Sequence, residues 1–518
     1  MINKGAVACG HEHTAKAAAQ ILLEGGNAFD AVVAAHFAAC VAEPVLASLG
    51  GGGFLTAHPA NGNAVVYDFF AHTPRNKLAL DKIDFFPITA DFGETTQEFH
   101  IGMGSIAVPG SVKGMFAIHQ DLCSMPLSML LEPAIQIARE GIAVNEFQAY
   151  IFDIVKPIYQ SNKQCLDIYK SQQADAKQNQ LVQAGENMKQ PSLADTLEAL
   201  VNEGDRLFYH GDIASSIVKS CKEHGGLLLQ EDFSNYQTIK RTPLQLQYRE
   251  HRIYSNPPPS SGGLLIAFAL KLLEQVDVTK ITNGSSDYLN MLVDVMQLTN
   301  KARIDVDSKN PDSRLDYLLN TDYLQSYRQL IADRYSFNRG TTHMSVIDNH
   351  GNVASLTVSN GEGSGYIAPH TGIMLNNMLG EQDLNPHGFN QWQNNQRISS
   401  MMAPTIIFDS DDYAISLGSG GSNRLRTAIL QVIIQLLDYQ NALKNAVEFP
   451  RIHFEELKLN IESGLEELKL YDKDYHIEEL KHWNARNLYF GGVHCVIKNG
   501  NTFQGMGDPR RGGVAIIV

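Results

Sequence analysis

Residues 333–360 read DRYSFNRGTTHMSVIDNHGNVASLTVSN. A loop-like octet ends on Gly340, an alternating run starts at Thr341, and a turn at NHGN leads into a second arm of similar length. The pattern predicts a β-hairpin whose first strand begins at Thr341. Gly340 has no Cβ to shield its carbonyl from the hydroxyl that follows. If Thr341 Oγ attacks that carbonyl, the peptide rearranges to an ester, and water then releases Thr341 with a free α-amine. That amine, with a reference pKa of roughly 7.7–8.0, can act as base for its own hydroxyl. Thr-Thr is also simply how β-branched residues open a strand.

Outward from the hairpin, YAISLG reads as another strand running into the glycine turn GSGGS, residues 418–422, and then into the helical pattern RLRTAILQVIIQLLDY. Upstream, residues 13–24 and 27–42 read as a buried helical pair, with Gly25 and Gly26 ending the first and Asn27 capping the second. SLGGGGFL then introduces two neighbouring strands, around residues 54–57 and 64–70. Residues 127–236 read as mainly helical, and PPPSSGG, residues 257–263, as a stiff turn into an apolar helix. Helices concentrated before 340, with strands on both sides of it, predict an α/β (α+β) protein in which both halves share one core.

The 518 residues can hold a large core, and 41 basic against 56 acidic residues give a net charge of −15. That balance disfavours nucleic acid and anionic membranes as partners. Six scattered cysteines without a C-x-x-C pair indicate neither a zinc ribbon nor a disulfide framework, and no metal or cofactor is expected. No apolar signal region or membrane span is visible, so the chain reads as cytoplasmic, or periplasmic if a leader has been removed.

Several segments can carry chemistry. The GSGGS turn can aim backbone N–H groups at an oxyanion or a phosphate, or be a plain tight turn; the lysine a P-loop needs is missing. Ser399 and Ser400 offer hydroxyls and amides to a small carboxylate, or form an ordinary polar loop. The tetrad 50–53 is an anion nest or a place of close layer packing. His11-Glu12-His13 has no third ligand at a telling spacing and reads as a solvated turn. His343 falls on the same strand face as Thr341 and suits a supporting or packing role rather than that of a separate base.

Taken in order, EGGNAFDAVVAAHFAACVAEP, GGGGFL, VPGSVKGM, LEPAIQIAREG, NPPPSSGG, TTHMSVID, GIMLNNM, SSMMAPTI, GSGGSNR and DPRRGG resemble the γ-glutamyltranspeptidase family of N-terminal nucleophile hydrolases over nearly the whole chain. The resemblance implies an αββα sandwich made as one precursor and cut between Gly340 and Thr341, giving a large subunit 1–340 and a small subunit 341–518. It implies Thr341 as nucleophile and Thr342 as a second family threonine beside it. Ser359 stands where a threonine often supports the nucleophile. Gly420 and Gly421 match the oxyanion glycines, and Ser399 and Ser400 a pair that holds the donor α-carboxylate. Asn360 approximates the substrate asparagine, and Glu381 or Asp383 the acidic ligand of the donor α-amine.

Three departures bear on substrate. Phe70, in Asp68-Phe69-Phe70-Ala71, occupies the position of the family's substrate arginine, so Phe70→Arg is expected to improve γ-glutamyl turnover. Arg75, five residues on, is a candidate to fold back and compensate. Met378 stands where bacterial members commonly have glutamine, and residues 384–396 look shorter than the family's lid. The implied activity is hydrolysis of γ-glutamyl amides such as glutathione, or transfer to an amine acceptor, through an acyl-enzyme. The alternatives are an amidohydrolase of the same family for a glutaryl- or oxamate-like amide, and a non-catalytic binding protein on the same fold.

Overall fold

The computed structural model describes residues 3–91, 96–307, 318–319, 324, 341–385, 388–410, 412–421, 423–465, 467–471 and 477–518. Two antiparallel sheets face each other at its centre. The first has the strand order Val514–Ile517, Gly5–Cys9, Thr342–Asp348, Val353–Ser359, Gly52–His58, Val65–Asp68, Ile239–Arg241. The second runs Thr502–Met506, Gly492–Asn499, Tyr413–Gly420, Thr405–Ser410, His251–Ser255, Leu244–Tyr248. Both sheets take strands from before 340 and from after 341, and one apolar cluster takes side chains from both segments.

The hairpin follows from strict alternation. Met344 pairs with Leu356 and Val346 with Ala354, and these four pack toward the helices. Ile347 and Val353 face the other sheet, where they meet Ile406, Phe408 and Val496. A one-residue slip would reverse every one of these assignments, so the apolar pattern fixes the register at Thr341.

Helices Glu12–Leu23 and Ala28–Ala42 cover the first sheet, and Gly262–Leu273 and Arg424–Leu437 cover the second, completing four layers of the αββα kind. Ala28–Ala42 is buried along its whole length, which explains why apart from Asp30 and His36 its residues are apolar, most of them small. Its start is a capping box: Asn27 accepts from the N–H groups of Phe29 and Asp30, while Asp30 accepts from the Asn27 N–H at 2.8 Å.

One local expectation fails. His11 is buried rather than solvated, because its Nδ1 caps helix Glu12–Leu23 by accepting from the His13 N–H at 3.1 Å. Burial lowers its pKa to about 4. No described helix is long and apolar enough to cross a membrane.

Candidate functional site

Thr341 is buried at the mouth of strand Thr342–Asp348, and the alternation of that strand sends its first side chains to opposite faces. Thr342 points into the helical layer, where its Oγ1 donates to Glu43 Oε2 at 2.7 Å; Glu43 Oε1 accepts from Thr14 Oγ1 at 2.8 Å. A Cβ on Gly10 would lie 2.4 Å from Glu43 Oε2 and 2.9 Å from Thr342 Oγ1, so only glycine permits this approach. Burial pushes the Glu43 carboxyl above its usual range, against the pull of the two hydroxyls.

His343 points between the sheets, with Nδ1 2.8 Å from Thr357 Oγ1 and Nε2 2.9 Å from Ser345 Oγ. Burial holds it far below the ordinary histidine range, so it is neutral with both nitrogens engaged. It packs and orients; it is not placed as a base.

Facing Thr341 is the end of the strand Tyr413–Gly420. The glycine-rich run is thus less of a turn than its composition suggests: Gly418, Ser419 and Gly420 continue the ladder opposite His494, Val493 and Gly492, while Gly421 leaves it at φ +119°. Ser422 lies outside the described residues. A Cβ on Gly420 would stand 1.9 Å from the Thr341 carbonyl oxygen.

Behind both glycines is Arg511, a residue to which sequence reasoning assigned no role although DPRRGG contains it. Its Nη1 donates to Thr341 O at 3.1 Å and its Nη2 to Leu488 O at 3.4 Å. These nitrogens lie 3.0 and 3.2 Å from the Cβ positions of Gly420 and Gly421. The turn Pro509–Arg511 that carries it is held by Asp508, which accepts from Arg510 N, Val493 N and Arg451 Nη2.

Asp508 gives this corner a pH signature. Although burial opposes ionisation, Arg451 and Arg510 hold its carboxyl down to about 2, below the unfolded value of about 3.9. Such a depressed carboxylate contributes stability that is complete above about pH 4 and is lost as pH falls toward 2. The thermal midpoint should therefore drop steeply over that window. Asp508→Asn should flatten the drop and lower the midpoint at neutral pH.

Beyond the hairpin's second arm, continuing the register Thr342↔Val358 by one residue sets Ser359 across from Thr341. Gly361, at φ +63°, turns the chain so tightly that a Cβ would meet Asn377 Oδ1 at 2.1 Å and Glu381 Oε1 at 2.3 Å. The fold thereby brings Glu381 back to the neighbours Ser359 and Asn360 around one turn. Asn360 is fully buried, and its side-chain amide has no hydrogen-bond partner among the described residues. A buried unpaired amide is costly unless a ligand satisfies it. Asp383 lies in the short turn Gln382–Leu384, and its side chain falls outside the described residues, as does Gly340.

The family profile described as gamma-glutamyltranspeptidase matches residues 14–518. The chain belongs to the γ-glutamyltranspeptidase family. It is an enzyme of the N-terminal nucleophile hydrolase kind. It is 30% identical over 486 residues to a glutathione hydrolase proenzyme of Escherichia coli strain K12, covering 86% of this chain and 80% of the relative. It is 31% identical over 485 residues to the acylase ACY 1 proenzyme of Pseudomonas sp. strain V22, covering 90% and 85%. Its fold matches the crystal structure of cephalosporin acylase from Bacillus halodurans with a TM-score of 0.82 at 22% identity, covering 99% of this chain and 96% of that one.

Against the γ-glutamyltranspeptidase pattern, the remaining positions are revealing. Ser399 Oγ donates to Pro259 O at 2.7 Å and so braces the segment against PPPSSGG, whereas Ser400 Oγ accepts from Met402 N at 3.1 Å within its own turn. Phe70 presents no side chain to open space. Its ring is 1% exposed and stacks on Phe54 at 5.4 Å within a cluster that includes Met378, Leu379 and Met402. Arg75 does not fold back; its N–H donates to Asp232 at 2.9 Å and its side chain stays partly exposed beside the same carboxylate.

The cation beside Phe70 is Arg397, which donates to Phe70 O, Tyr236 Oη and Gln237 O and lies 3.3 Å from Asp68. Its position just before Ser399 was the only sequence hint. The expected gain from Phe70→Arg is accordingly reversed: a second guanidinium in this apolar cluster, next to Arg397, should cost about 3 kcal/mol or more. A lower thermal midpoint without improved γ-glutamyl turnover is the expected result.

Proposed function

We propose that the chain cuts itself before Thr341 and then hydrolyses γ-glutamyl amides such as glutathione, or transfers the acyl group to an amine. In this reading Thr341 Oγ first attacks the Gly340 carbonyl, the C–N bond breaks to free the α-amine and leave an ester, and water then hydrolyses the ester to release the Thr341 hydroxyl and a Gly340 carboxylate. The amine then takes the Oγ proton as Oγ attacks the donor amide. The N–H groups of Gly420 and Gly421 receive the oxyanion, the amine leaves protonated, and water or an amine acceptor releases the acyl group.

The observation that carries the reading is the meeting of Thr341 with Gly420 and Arg511 at the end of two facing strands. Asn360 and Glu381, gathered at the Gly361 turn, suit the polar head of a γ-glutamyl donor. A pure binding protein would need no nucleophile set against two backbone donors. The test is a denaturing gel of the purified protein with N-terminal sequencing. It should give two pieces, one beginning at Thr341, and glutathione hydrolysis should accompany them.

A second reading, an amidohydrolase for another small acyl amide, has its own support. No arginine side chain stands at position 70, and the acylase proenzyme is as similar to this chain as the glutathione hydrolase proenzyme. Glutathione, a glutaryl amide and oxamate assayed side by side separate the two. Turnover of glutathione at less than about a tenth of either alternative would reject the γ-glutamyl assignment.

A further inference from the structure

We infer that Arg511 is a positioning residue that acts through its charge. Hydrogen-bonded to the Thr341 carbonyl, its fixed guanidinium keeps the α-amine of a processed Thr341 unprotonated and able to accept the Oγ proton. The inference rests on the proposed role of Thr341. An N-terminal amine is a base only when neutral, and an ordinary one, titrating at roughly 7.7–8.0, is mostly protonated at pH 7. A like charge nearby disfavours the ammonium form. Arg511 Nη1 is 3.1 Å from the carbonyl oxygen of the residue that carries the amine. Covalent geometry then puts the two charges roughly 5–6 Å apart, enough for a shift on the order of one pH unit.

The surroundings offset that field only in part. Arg511 is 3% exposed, and its hydrogen bonds go to backbone carbonyls, with no carboxylate at ion-pair distance among the described residues. Its Nε–H has no acceptor there. The charged groups around it are Glu43 behind Thr342, Glu362 beyond the Ser359 turn, Asp508 beneath, and Arg424, which adds positive charge. Glu362 offsets the guanidinium most; Asp508 is already paired with Arg451 and Arg510, and burial raises the Glu43 pKa, which weakens the third carboxylate. His343 and His494 are buried and held neutral. Gly492, where a Cβ would lie 2.4 Å from Arg511 Cδ, leaves the side chain room to lie flat behind Gly420 and Gly421.

The experiment compares the parent with Arg511→Gln and Arg511→Lys, following kcat/KM against pH with whichever donor the parent turns over. In parallel, the Thr341 amine of the processed parent is titrated by pH-dependent labelling with an amine-reactive reagent. The parent amine should titrate below the ordinary range, whose lower edge is about 7.7. The acid limb of Arg511→Gln should move up by about one pH unit, and that of Arg511→Lys should stay near the parent. Purely structural damage would lower the rate without moving the limb. A parent amine titrating at or above its ordinary value, or a processed Arg511→Gln with an unmoved limb, overturns the inference. If Arg511→Gln does not process, the parent titration decides alone. A parent without a Thr341 N-terminus fails at the reading beneath, and takes the inference with it.

Discussion

Thr341→Ala is expected to give a single uncut chain whose activity is lower by at least about 10⁴-fold, because one substitution removes the proposed nucleophile of both reactions. The side chain is small and buried, and the strand that follows is pinned independently by the Thr342–Glu43 hydrogen bond and the ladder to Val353–Ser359. The variant should therefore fold with a thermal midpoint close to the parent's, which separates lost chemistry from lost structure. Thr341→Ser, which keeps the hydroxyl, should still be cut and should retain measurable turnover. The readouts are the gel pattern, N-terminal sequencing and amide hydrolysis under saturating donor. A Thr341→Ala protein that still splits at this junction and turns over substrate would require a different nucleophile.

What the sequence discloses and what it withholds divide along a physical line. Periodicity and capping are local, so the hairpin from Thr342, the buried helix Ala28–Ala42 and its Asn27 cap were all legible from residue order. Contacts made by folding are not local: Glu43 meets Thr342 across 299 residues, and Arg511 meets Thr341 across 170. No spacing rule reaches that far. Arg75 misled because nearness in sequence was taken for nearness in space, whereas the cation beside Phe70 comes from Arg397, 327 residues away. Composition misled at Gly418 and Gly420, where glycines that usually make turns continue a strand. They do so because a side chain there would strike His343 or the Thr341 carbonyl.

That last contact sets up the second large effect. Gly420→Ala adds a single methyl group, yet its carbon would sit 1.9 Å from the Thr341 carbonyl oxygen and 3.0 Å from Arg511 Nη1. The obstructing atom is backbone, so no rotamer change relieves the clash. Either the strand carrying Thr341 or the one carrying the proposed oxyanion donors must move by on the order of an ångström, and misplacement of that size costs about 10²-fold in rate. Gly421→Ala tests the neighbouring donor by another route. Its added carbon would find its nearest neighbours at 3.1 and 3.2 Å, but φ +119° lies where a non-glycine residue pays a backbone penalty of about 1–3 kcal/mol. Gly420→Ala should therefore lose at least about 10²-fold in kcat/KM. Gly421→Ala should lose less activity and show its penalty mainly as a lower thermal midpoint. A fully processed Gly420→Ala enzyme with parental kcat/KM would mean that the oxyanion is received elsewhere, and the turn around Gly361 would be the next place to look.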